Sequence, residues 1–298
     1  MSSPKIIAAV PAFNVEATIA KVVVLAKKYV SEIIVCDDGS SDSTADIARN
    51  LGADVIVHDR NRGYGAALAS LFRRAKEDDA DILVTLDGDG QHDAAEIPRI
   101  IKPLIERQAD IVVGSRLLSR NAKMPGYRRI GIKAITKLSD VVAYNGLTDA
   151  QSGFRAYSGD ALEILAPSEM GMGASTEILA KARGAGMKVI EVPITVSYGT
   201  GSSTHNPAYH GLDVVLSTVK LLSIRHPLGF YGLPGFALLL VAGGFWYWTL
   251  VIYAAKGTVF TNVALVAVVS TVLGVLLMAI AVILWVLISV IREGKTHS

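Results

Sequence analysis

The amino-acid sequence predicts an α/β domain with a mainly parallel sheet, followed by a two-helix transmembrane hairpin. Short β-branched runs alternate with helical stretches up to about residue 113. Such alternation with short connections is typical of a mainly parallel sheet with helices on both faces. Two runs without charged side chains, 227–255 and 257–291, follow. Each exceeds the roughly 20 apolar residues that a helix needs to cross a bilayer.

The distribution of charge divides the 298-residue chain into three parts. Residues 1–204 have the composition of one soluble domain of ordinary size. Residues 205–228 are predicted to form an amphipathic juxtamembrane helix. Residues 229–298 are predicted to form the hairpin, with spans at about 232–255 and 262–291 and a short tail.

The basic residues around the predicted spans indicate their orientation. Lys220 and Arg225 precede the first span, Arg292 and Lys295 follow the second, and the connecting loop holds only Lys256. Because basic flanks stay on the cytoplasmic side, both termini and the large domain are expected in the cytoplasm. The host membrane would be the cell membrane or one of the endoplasmic-reticulum type.

The cysteine count and the net charge argue against disulfides, cysteine-rich metal sites and nucleic acid binding. The single cysteine, Cys36, excludes an intrachain disulfide and a cysteine-rich metal site. It lies in an apolar run, so core packing is its expected role. The net charge of +2 is too small to indicate nucleic acid binding.

The elements follow one another along the chain as buried strands and amphipathic helices. Continuous apolar runs suit strands that are buried on both faces. A capping box formed by Ser43 and Asp46 is predicted to start the second helix. The predicted strands are 5–10, 33–36, 55–58, 82–86, 110–113 and 188–193, and the predicted helices are 16–29, 44–51, 66–77, 94–107 and 176–184.

Four polar clusters stand where predicted strands end. They are 11–16, 37–42, 60–65 and 87–91. In open α/β sheets, ligands bind beyond the carboxyl ends of the strands. Four such clusters in the same topological place therefore indicate a binding site at this edge of the sheet.

The acidic cluster predicts a divalent metal site. Asp87, Asp89 and Gln91 alternate, and residues two apart in an extended backbone point to one side. Two carboxylates and an amide oxygen suit Mg²⁺ or Mn²⁺, which also bind substrate phosphates. The alternative is an Asp-Gly turn with solvated acids, but the three other clusters at the same edge favour the metal.

Two further clusters allow more than one interpretation. Asp37 and Asp38 could accept hydrogen bonds from a nucleoside, or they could cap the following helix. The Gly63-x-Gly65 pattern lacks the full dinucleotide fingerprint, so a tight turn and close helix packing are expected there.

The basic residues beyond the fifth strand also have two interpretations. An interface helix at about 126–145 carries Arg128, Arg129, Lys133 and Lys137 and is predicted to lie on a membrane surface; otherwise it is an ordinary surface helix. Arg155 could clamp a phosphate or form an ion pair with Asp149.

Six motifs in order resemble the family-two glycosyltransferases, and most closely their polyprenyl-phosphate branch, the dolichol-phosphate mannose or glucose synthases. Each motif is weak by itself, but the ordered set is specific and covers residues 5 to about 235. The motifs are VPAFNVE at 10–16, DDGSSD at 37–42, NRGYGAA at 61–67, DGDGQH at 87–92, GSR at 114–116 and SGFR at 152–155.

The resemblance implies a GT-A fold and an inverting transfer of one sugar from a nucleotide diphosphate to a polyprenyl or dolichyl phosphate. The donor would be UDP-glucose, UDP-GlcNAc or GDP-mannose, and the metal would be Mg²⁺ or Mn²⁺. The catalytic residues would be Asp87, Asp89 and Asp149, with Asp149 placing the acceptor.

The resemblance also implies a set of binding residues. Metal would be held by Asp87, Asp89 and Gln91, and donor phosphates by Arg116. The lipid phosphate would meet Arg128, Arg129 and Arg155. The nucleotide would be lined by Pro11, Phe13, Asn14, Glu16, Asp37, Asp38, Gly39 and Gly88.

Two departures from the family pattern bear on the donor. Val15 separates Asn14 from Glu16 where the family often has consecutive glutamates. The loop 201–205 has no lysine or arginine, which mannose-transferring members often carry there. Residues 205–211 look more like archaeal members that use UDP-sugars.

Three other classes of protein are weighed against this one. A polysaccharide synthase with a hydroxyl acceptor would need a longer helical bundle, and a nucleotidyltransferase would need a Gly-rich loop after the first strand. A scaffold that only binds nucleotide sugars is the third. Two spans are too few to enclose a site, which leaves room for a homo-oligomer through the hairpin.

Overall fold

The computed structural model describes residues 4–118, 136, 146–168, 170–171, 173–196, 219, 223 and 226–296. They belong to two compact units, 1–218 and 219–298. Most of the predicted interface helix at 126–145, including Arg128 and Arg129, lies outside the described residues. The same is true of most of the predicted juxtamembrane helix at 205–228 and of the loop 201–205.

A mixed sheet of seven strands forms the centre of the first unit in the part of the chain that is described. The spatial order is β3-β2-β1-β4-β6-β5-β7. All pairs are parallel except the two that β6 makes with β4 and β5. The strands are β1 (Ile6–Ala12), β2 (Glu32–Asp37), β3 (Asp54–Val57), β4 (Ile82–Thr85), β5 (Ile111–Ser115), β6 (Arg155–Ser158) and β7 (Val189–Pro193).

Helices connect these strands and cover the sheet. A short 3₁₀ turn, Ala94–Glu96, precedes α4. The helices are α1 (Glu16–Ala26), α2 (Thr44–Asn50), α3 (Tyr64–Glu77), α4 (Ile97–Ile105), α5 (Gly159–Ile164) and α6 (Ala174–Gly184). The predicted α/β class with a mainly parallel sheet is confirmed.

The central strands are buried because they are apolar on both faces, as expected for strands covered by helices on two sides. Ile7, Val10, Leu83, Val84 and Val112 are all fully buried. The sequence predicted the six parallel strands to within two residues at each end.

One strand was not predicted. No strand was predicted at the SGFR motif, but β6 begins at Arg155 and lies antiparallel between β4 and β5. Its four residues, R-A-Y-S, lack a continuous apolar run. Because β6 is reversed, its first residues lie at the carboxyl edge of the parallel strands, and Thr85 pairs with Arg155 there.

The predicted capping box at α2 is wrong. Ser43 makes no side-chain cap of this helix. Instead Asp42 Oδ1 accepts from the Thr44 N–H at 3.0 Å, and Glu16 Oε2 accepts from the Ser43 N–H at 3.0 Å. Carboxylates near a helix N-terminus satisfy its first N–H groups and interact well with its dipole.

The second unit contains two long apolar helices, α7 (Leu233–Lys256) and α8 (Thr261–Thr296). A π-helical turn, Leu228–Gly232, leads into α7. Both helices are long and apolar enough to cross a membrane, and only 17% and 11% of the most apolar 18-residue stretch in each span are buried. Such exposure is unlike a core helix of a soluble protein and agrees with a membrane hairpin.

Glycines let these two helices approach closely. A Cβ added to Gly235 would lie 3.1 Å from the carbonyl oxygen of Gly274, and one added to Gly274 would lie 3.0 Å from that of Gly235. Small residues at such crossings favour close backbone packing in lipid.

The buried Cys36 thiol is expected to resist thiol reagents in the native protein. It is fully buried, and burial, with the Asp38 and Asp37 carboxylates, raises the pKa of Cys36 to about 12. Since the thiolate is the reactive form, a maleimide at pH 8 should label the chain only after denaturation. The chain has one cysteine, so mass spectrometry measures this directly, and labelling of the native protein at the rate of a free thiol would contradict it.

Candidate active site

The first two loops at the carboxyl edge of the sheet are interlocked. Asn14 has a left-handed backbone (φ 50°). Its Oδ1 accepts from the Ser41 N–H at 2.9 Å, and its own N–H donates to Ser40 Oγ at 2.8 Å. The Val15 N–H donates to Thr44 Oγ1 at 2.9 Å. Residues 11–16 and 37–44 are therefore joined by hydrogen bonds into one surface.

The two adjacent aspartates of the second loop have different surroundings. Asp38 accepts from the N–H groups of Arg62 (2.9 Å) and Gly63 (2.8 Å) and contacts His58 Nδ1 at 2.6 Å. It therefore ties the 58–63 loop to β2. Asp37 accepts from the Ser40 hydroxyl within its own loop. Neither aspartate caps α2, so that alternative is wrong for both.

Two glycines are required by close backbone contacts. Gly39 has φ +73°, and a Cβ there would lie 2.5 Å from the carbonyl carbon of Arg60. Gly63 has φ +98°, and a Cβ there would lie 2.4 Å from the Met170 oxygen. The predicted tight turn at Gly63 is confirmed. The Gly65 N–H donates to the same Met170 oxygen at 2.8 Å, so a carbonyl of this chain occupies the start of α3.

The acidic loop after β4 holds two carboxylates in a partly buried place. The backbone N–H of Gln91 donates to Asp89 Oδ1 at 3.0 Å, and its side-chain Nε2 donates to Asp89 Oδ2 at 2.5 Å. Burial and then the Asp87 carboxylate raise the pKa of Asp89. Two acids that disfavour each other's charge are relieved when a cation joins them.

Neighbouring elements fix the Asp87 carboxylate. Tyr64, at the start of α3, donates its hydroxyl to Asp87 Oδ1 at 3.4 Å. Burial and the Asp87 charge raise the pKa of Tyr64 well above 10, so this hydroxyl keeps its proton. On another side Gly153 is so close that a Cβ there would lie 2.5 Å from Asp87 Oδ1.

The loop backbone is anchored on the first strand and helix. The Gly88 N–H donates to the Pro11 oxygen at 3.3 Å, and the Thr18 hydroxyl donates to the Gly88 oxygen at 2.7 Å. Gly88 therefore connects the acidic loop with the 11–16 loop, which places the predicted nucleotide and metal residues side by side.

His92 is a neutral residue beneath the acidic loop that was not among the predicted site residues. Its side chain is 5% exposed, and burial lowers the pKa of His92 to about 4. Its ring lies 5.2 Å from that of Phe154, and the Asp87 N–H donates to Nδ1 at 3.4 Å. The DGDGQH motif contained it, but only its burial shows that it supports the loop.

Arg116 and Asp149 form a two-point ion pair. Nε donates to Oδ2 at 2.6 Å and Nη2 donates to Oδ1 at 2.7 Å, and the Arg116 backbone N–H also donates to Oδ2 at 3.0 Å. The Asp149 side chain is fully buried, whereas 20% of that of Arg116 is exposed. The surroundings of Asp149 therefore fit the orientation of Arg116 and not direct contact with an acceptor.

Arg155 does not meet either of its predicted partners. It is 2% exposed, and its guanidinium donates to the backbone oxygens of Ser152, Ser175 and Ala150 at 2.8, 3.1 and 2.6 Å. A buried guanidinium needs such acceptors for its donors. Both interpretations of Arg155 are corrected: it holds the 150–152 loop, and Asp149 pairs with Arg116.

The residues present fit a divalent cation that a substrate helps to coordinate. In the described ranges no cluster of three His, Cys, Asp or Glu side chains could hold a metal alone. Asp87 and Asp89 provide two carboxylates at one edge. Mg²⁺ is usually bound by one or two carboxylates together with substrate phosphates and water, and this donor set agrees with that pattern.

The α/β sheet with an Asp-x-Asp loop at its carboxyl edge agrees with the class that the family match establishes: this is a glycosyltransferase of GT-A fold. The chain belongs to glycosyl transferase family 2, whose family model matches residues 7–165.

Two relatives and one solved structure show what the chain resembles. It is 33% identical over 213 residues to the UDP-N-acetylglucosamine–dolichyl-phosphate N-acetylglucosaminyltransferase of Methanococcus voltae, which covers 63% of this chain and 84% of the relative. It is 33% identical over 175 residues to the undecaprenyl-phosphate mannosyltransferase of Micrococcus luteus, with coverages of 55% and 71%.

The solved structure is glucosyl-3-phosphoglycerate synthase from Mycobacterium tuberculosis, in complex with Mn²⁺, UDP and its product. The TM-score is 0.58 at 23% identity, and the match covers 74% of this chain and 79% of that one. This likeness supports the fold.

Proposed function

We propose that this enzyme transfers one sugar, with inversion, from a nucleotide sugar to a polyprenyl or dolichyl phosphate at the cytoplasmic face of a membrane. The observation that carries the proposal is the meeting of the nucleotide, acidic and arginine motifs at one sheet edge, in a chain with two candidate membrane spans. The two relatives described above act on lipid phosphates by name.

The nucleotide is proposed to bind on the interlocked surface of the first two loops. Asp37 lies at the end of β2, next to residues 40–41, which are hydrogen-bonded to Asn14. Asp38 and Glu16 would act through the structure, since their carboxylates accept backbone N–H groups of this chain. Pro11, Phe13, Gly39 and Gly88 complete the proposed nucleotide set.

The donor is proposed to be a UDP-sugar, UDP-GlcNAc or UDP-glucose. The loop 201–205 lacks the basic residue typical of mannose transfer, and the relative from Methanococcus voltae is named for UDP-GlcNAc. GDP-mannose is the alternative donor.

A divalent cation, Mg²⁺ or Mn²⁺, is proposed to be held by Asp87 and Asp89, with Gln91 beside them. When bound, it supplies positive charge where the leaving diphosphate gains negative charge. The protein's own contribution is to hold both carboxylates in place through Tyr64 and Gln91.

Arg116 is proposed to bind the phosphates of the donor. Its Nε and Nη2 face Asp149, which fixes the plane of the guanidinium. A guanidinium that is oriented in advance stabilises developing phosphate charge without reorganising during the reaction.

The absence of a poised base in the described part of the site favours a phosphate acceptor over a hydroxyl acceptor. Asp149 is buried and paired with Arg116, and His92 is buried with a pKa lowered to about 4. A phosphate monoester has its second pKa near about 6 and is mostly dianionic at neutral pH. It can attack the sugar without losing a proton, whereas a polysaccharide hydroxyl needs a base.

The hairpin and the basic helix are proposed to bring the lipid to the site. Anionic headgroups attract basic clusters at a membrane surface, and Arg128 and Arg129 are the proposed contacts for the lipid phosphate. The basic residues that flank the two spans in the sequence support a cytoplasmic position for both termini.

The test is a transfer assay with the full chain purified in detergent. It is incubated with Mn²⁺ or Mg²⁺, a polyprenyl phosphate and radiolabelled UDP-GlcNAc, UDP-glucose or GDP-mannose. Labelled lipid from one donor, abolished by EDTA, supports the proposal. Polymer product would indicate a polysaccharide synthase. Donor binding with no product from any donor would refute the lipid acceptor and favour a binding scaffold.

A further inference from the structure

A second carboxylate, that of Glu191, lies behind the ion pair of Arg116 and Asp149. Glu191 is in β7, which pairs with β5, and it is in register with Val113. Its Oε2 accepts from the N–H and the hydroxyl of Thr148 at 2.8 and 2.9 Å. Its Oε1 accepts from the Asp149 N–H at 2.8 Å. One carboxylate therefore binds two successive backbone N–H groups.

The turn that Glu191 binds is connected to both sides of Arg116. Thr148 Oγ1 lies 2.6 Å from Ser115 Oγ, which in turn accepts from the Leu117 N–H at 3.2 Å. Asp149 binds both the backbone and the guanidinium of Arg116. The position of Arg116 thus depends on the 148–149 turn.

The backbone near this turn is not held by regular secondary structure. Residues 146–149 lie outside any helix or strand, and Gly146 has φ +92°. Loops without ladder hydrogen bonds depend on side chains to satisfy and fix their backbone groups. A carboxylate accepting several N–H groups makes strong, charge-assisted bonds.

We propose that Glu191 is a positioning residue of the transfer reaction, which sets the Arg116 guanidinium through the Thr148–Asp149 turn. The inference rests on the proposed function, in which Arg116 binds the donor diphosphate. Glu191 touches no substrate, and its contribution reaches the diphosphate only through Asp149 and Arg116.

The decisive variant is Glu191→Gln. Glutamine has the same size, but one of its two head atoms is an N–H donor and would face the backbone N–H of Thr148 or Asp149. At least one N–H of the turn loses its acceptor, which allows the turn and Arg116 to shift. The matched control is Asp110→Asn, because Asp110 Oδ2 also accepts one backbone N–H, that of Lys188, at the opposite end of the same strands.

Binding separates a positioning role from a general structural one. With Mn²⁺ present, calorimetry measures the affinity of the full chain for UDP and for uridine, and for GDP and guanosine. Glu191→Gln should weaken binding of the diphosphate about 10-fold, the effect of about 1.4 kcal/mol. It should leave the nucleoside affinity within about 2-fold, because Arg116 meets only the phosphates; Asp110→Asn should change neither.

A double-mutant cycle tests the route through Arg116. Arg116→Lys keeps a positive charge beside the buried Asp149 but cannot form the two-point ion pair. If Glu191 acts through Arg116, adding Glu191→Gln to this variant should weaken UDP binding less than about 2-fold further. Additive losses, or equal losses for UDP and uridine, would overturn the proposal.

Transfer kinetics distinguish the two proposals. Glu191→Gln should lower kcat about 10-fold with the lipid KM unchanged, since Arg116 acts on the leaving group. If the wild type binds UDP but transfers no sugar to any polyprenyl phosphate, the proposed function fails, and the comparison of UDP with uridine still decides the role of Glu191. If it binds neither UDP nor GDP, both proposals are wrong.

Discussion

Replacing Asp89 with asparagine is expected to lower sugar transfer by about 10²–10³-fold, the usual effect of removing one group that stabilises developing charge. The substitution keeps the size of the side chain, and its amide oxygen can still accept from the Gln91 N–H, which now donates to Asp89 Oδ1 at 3.0 Å. The Gln91 side-chain amide, whose Nε2 now donates to Asp89 Oδ2, can turn so that its oxygen accepts from the new NH₂ group. The loss of activity would therefore come from the missing charge and not from a disordered loop.

The same substitution should not destabilise the metal-free protein. Burial and the nearby Asp87 raise the pKa of Asp89. A carboxyl whose pKa is raised by folding is less stable when ionised in the native state than in the unfolded chain, and this penalty appears as the pH rises above the ordinary carboxyl value, so it is present at neutral pH. An asparagine side chain cannot ionise, so the melting temperature of Asp89→Asn in EDTA should equal or exceed that of the wild type.

The melting temperature in EDTA and its change on adding Mn²⁺ are the two measurements that check the role of Asp89. In the presence of UDP, whose phosphates would complete the coordination, Mn²⁺ should raise the melting temperature of the wild type, because a ligand that binds only the folded state stabilises it, and this increase should be lost in Asp89→Asn. The control is Asp93→Asn in the same loop, where the side chain caps the 3₁₀ turn by accepting from the Ala95 N–H. If Asp89→Asn melts well below the wild type in EDTA, or keeps its Mn²⁺ response, the metal role of Asp89 is wrong.

The fold was predictable where one physical signal dominates. The strands that end in the polar loops are continuous apolar runs, and burial on both faces demands such runs. The short strand β6 carries Arg155 and Ser158 and has no such signal. It is a strand because the edges of β4 and β5 on either side of it provide partners, which no local pattern reveals.

The sequence motifs identified candidate site residues, but they did not reveal the hydrogen-bond and ion-pair partners of those residues. Asp37 and Asp38 are adjacent and alike in sequence, yet Asp38 holds the 62–63 backbone while Asp37 contacts its own loop. Asp149 and Arg155 lie in one motif region, but Asp149 pairs with Arg116, 33 residues away. Long-range pairing depends on the order of strands β4-β6-β5, and that order follows from tertiary packing.

Supporting residues were the hardest to find from the sequence. Glu191 lies in a strand with an ordinary apolar pattern, and His92 follows the acidic motif with nothing to mark its burial. Each one acts on a site residue through backbone N–H groups: Glu191 accepts from Asp149, and His92 accepts from Asp87. Backbone partners carry no sequence signal, because every residue except proline has the same N–H group.

Gly153→Ala is expected to lower kcat at least about 10²-fold, although Gly153 contacts no substrate in the proposed mechanism. A Cβ at this position would lie 2.5 and 2.6 Å from the two carboxylate oxygens of Asp87. Its backbone is not left-handed, so the effect would come from this overlap and not from backbone strain. Either the Gly153 backbone or the Asp87 side chain must move.

The backbone of Gly153 has little freedom to move. Its carbonyl accepts from the buried Thr85 hydroxyl at 2.7 Å, and the next residues, Phe154 and Arg155, are fully or almost fully buried. The Asp87 carboxylate is 34% exposed, and its hydrogen bond with the Tyr64 hydroxyl is long, at 3.4 Å. Asp87 should therefore be displaced, and a shift of about 1 Å in a reacting site can cost about 10²-fold in rate.

The control for this effect is Gly184→Ala at the end of α6, where nothing lies within 4 Å of an added Cβ. That variant should keep wild-type kcat and stability. In Gly153→Ala, UDP titrated with Mn²⁺ should bind more weakly than in the wild type, while uridine binding stays unchanged, because only the metal-dependent part of the site is disturbed. A kcat within about 2-fold of wild type in a folded Gly153→Ala protein would show that the position of the Asp87 carboxylate does not limit the reaction.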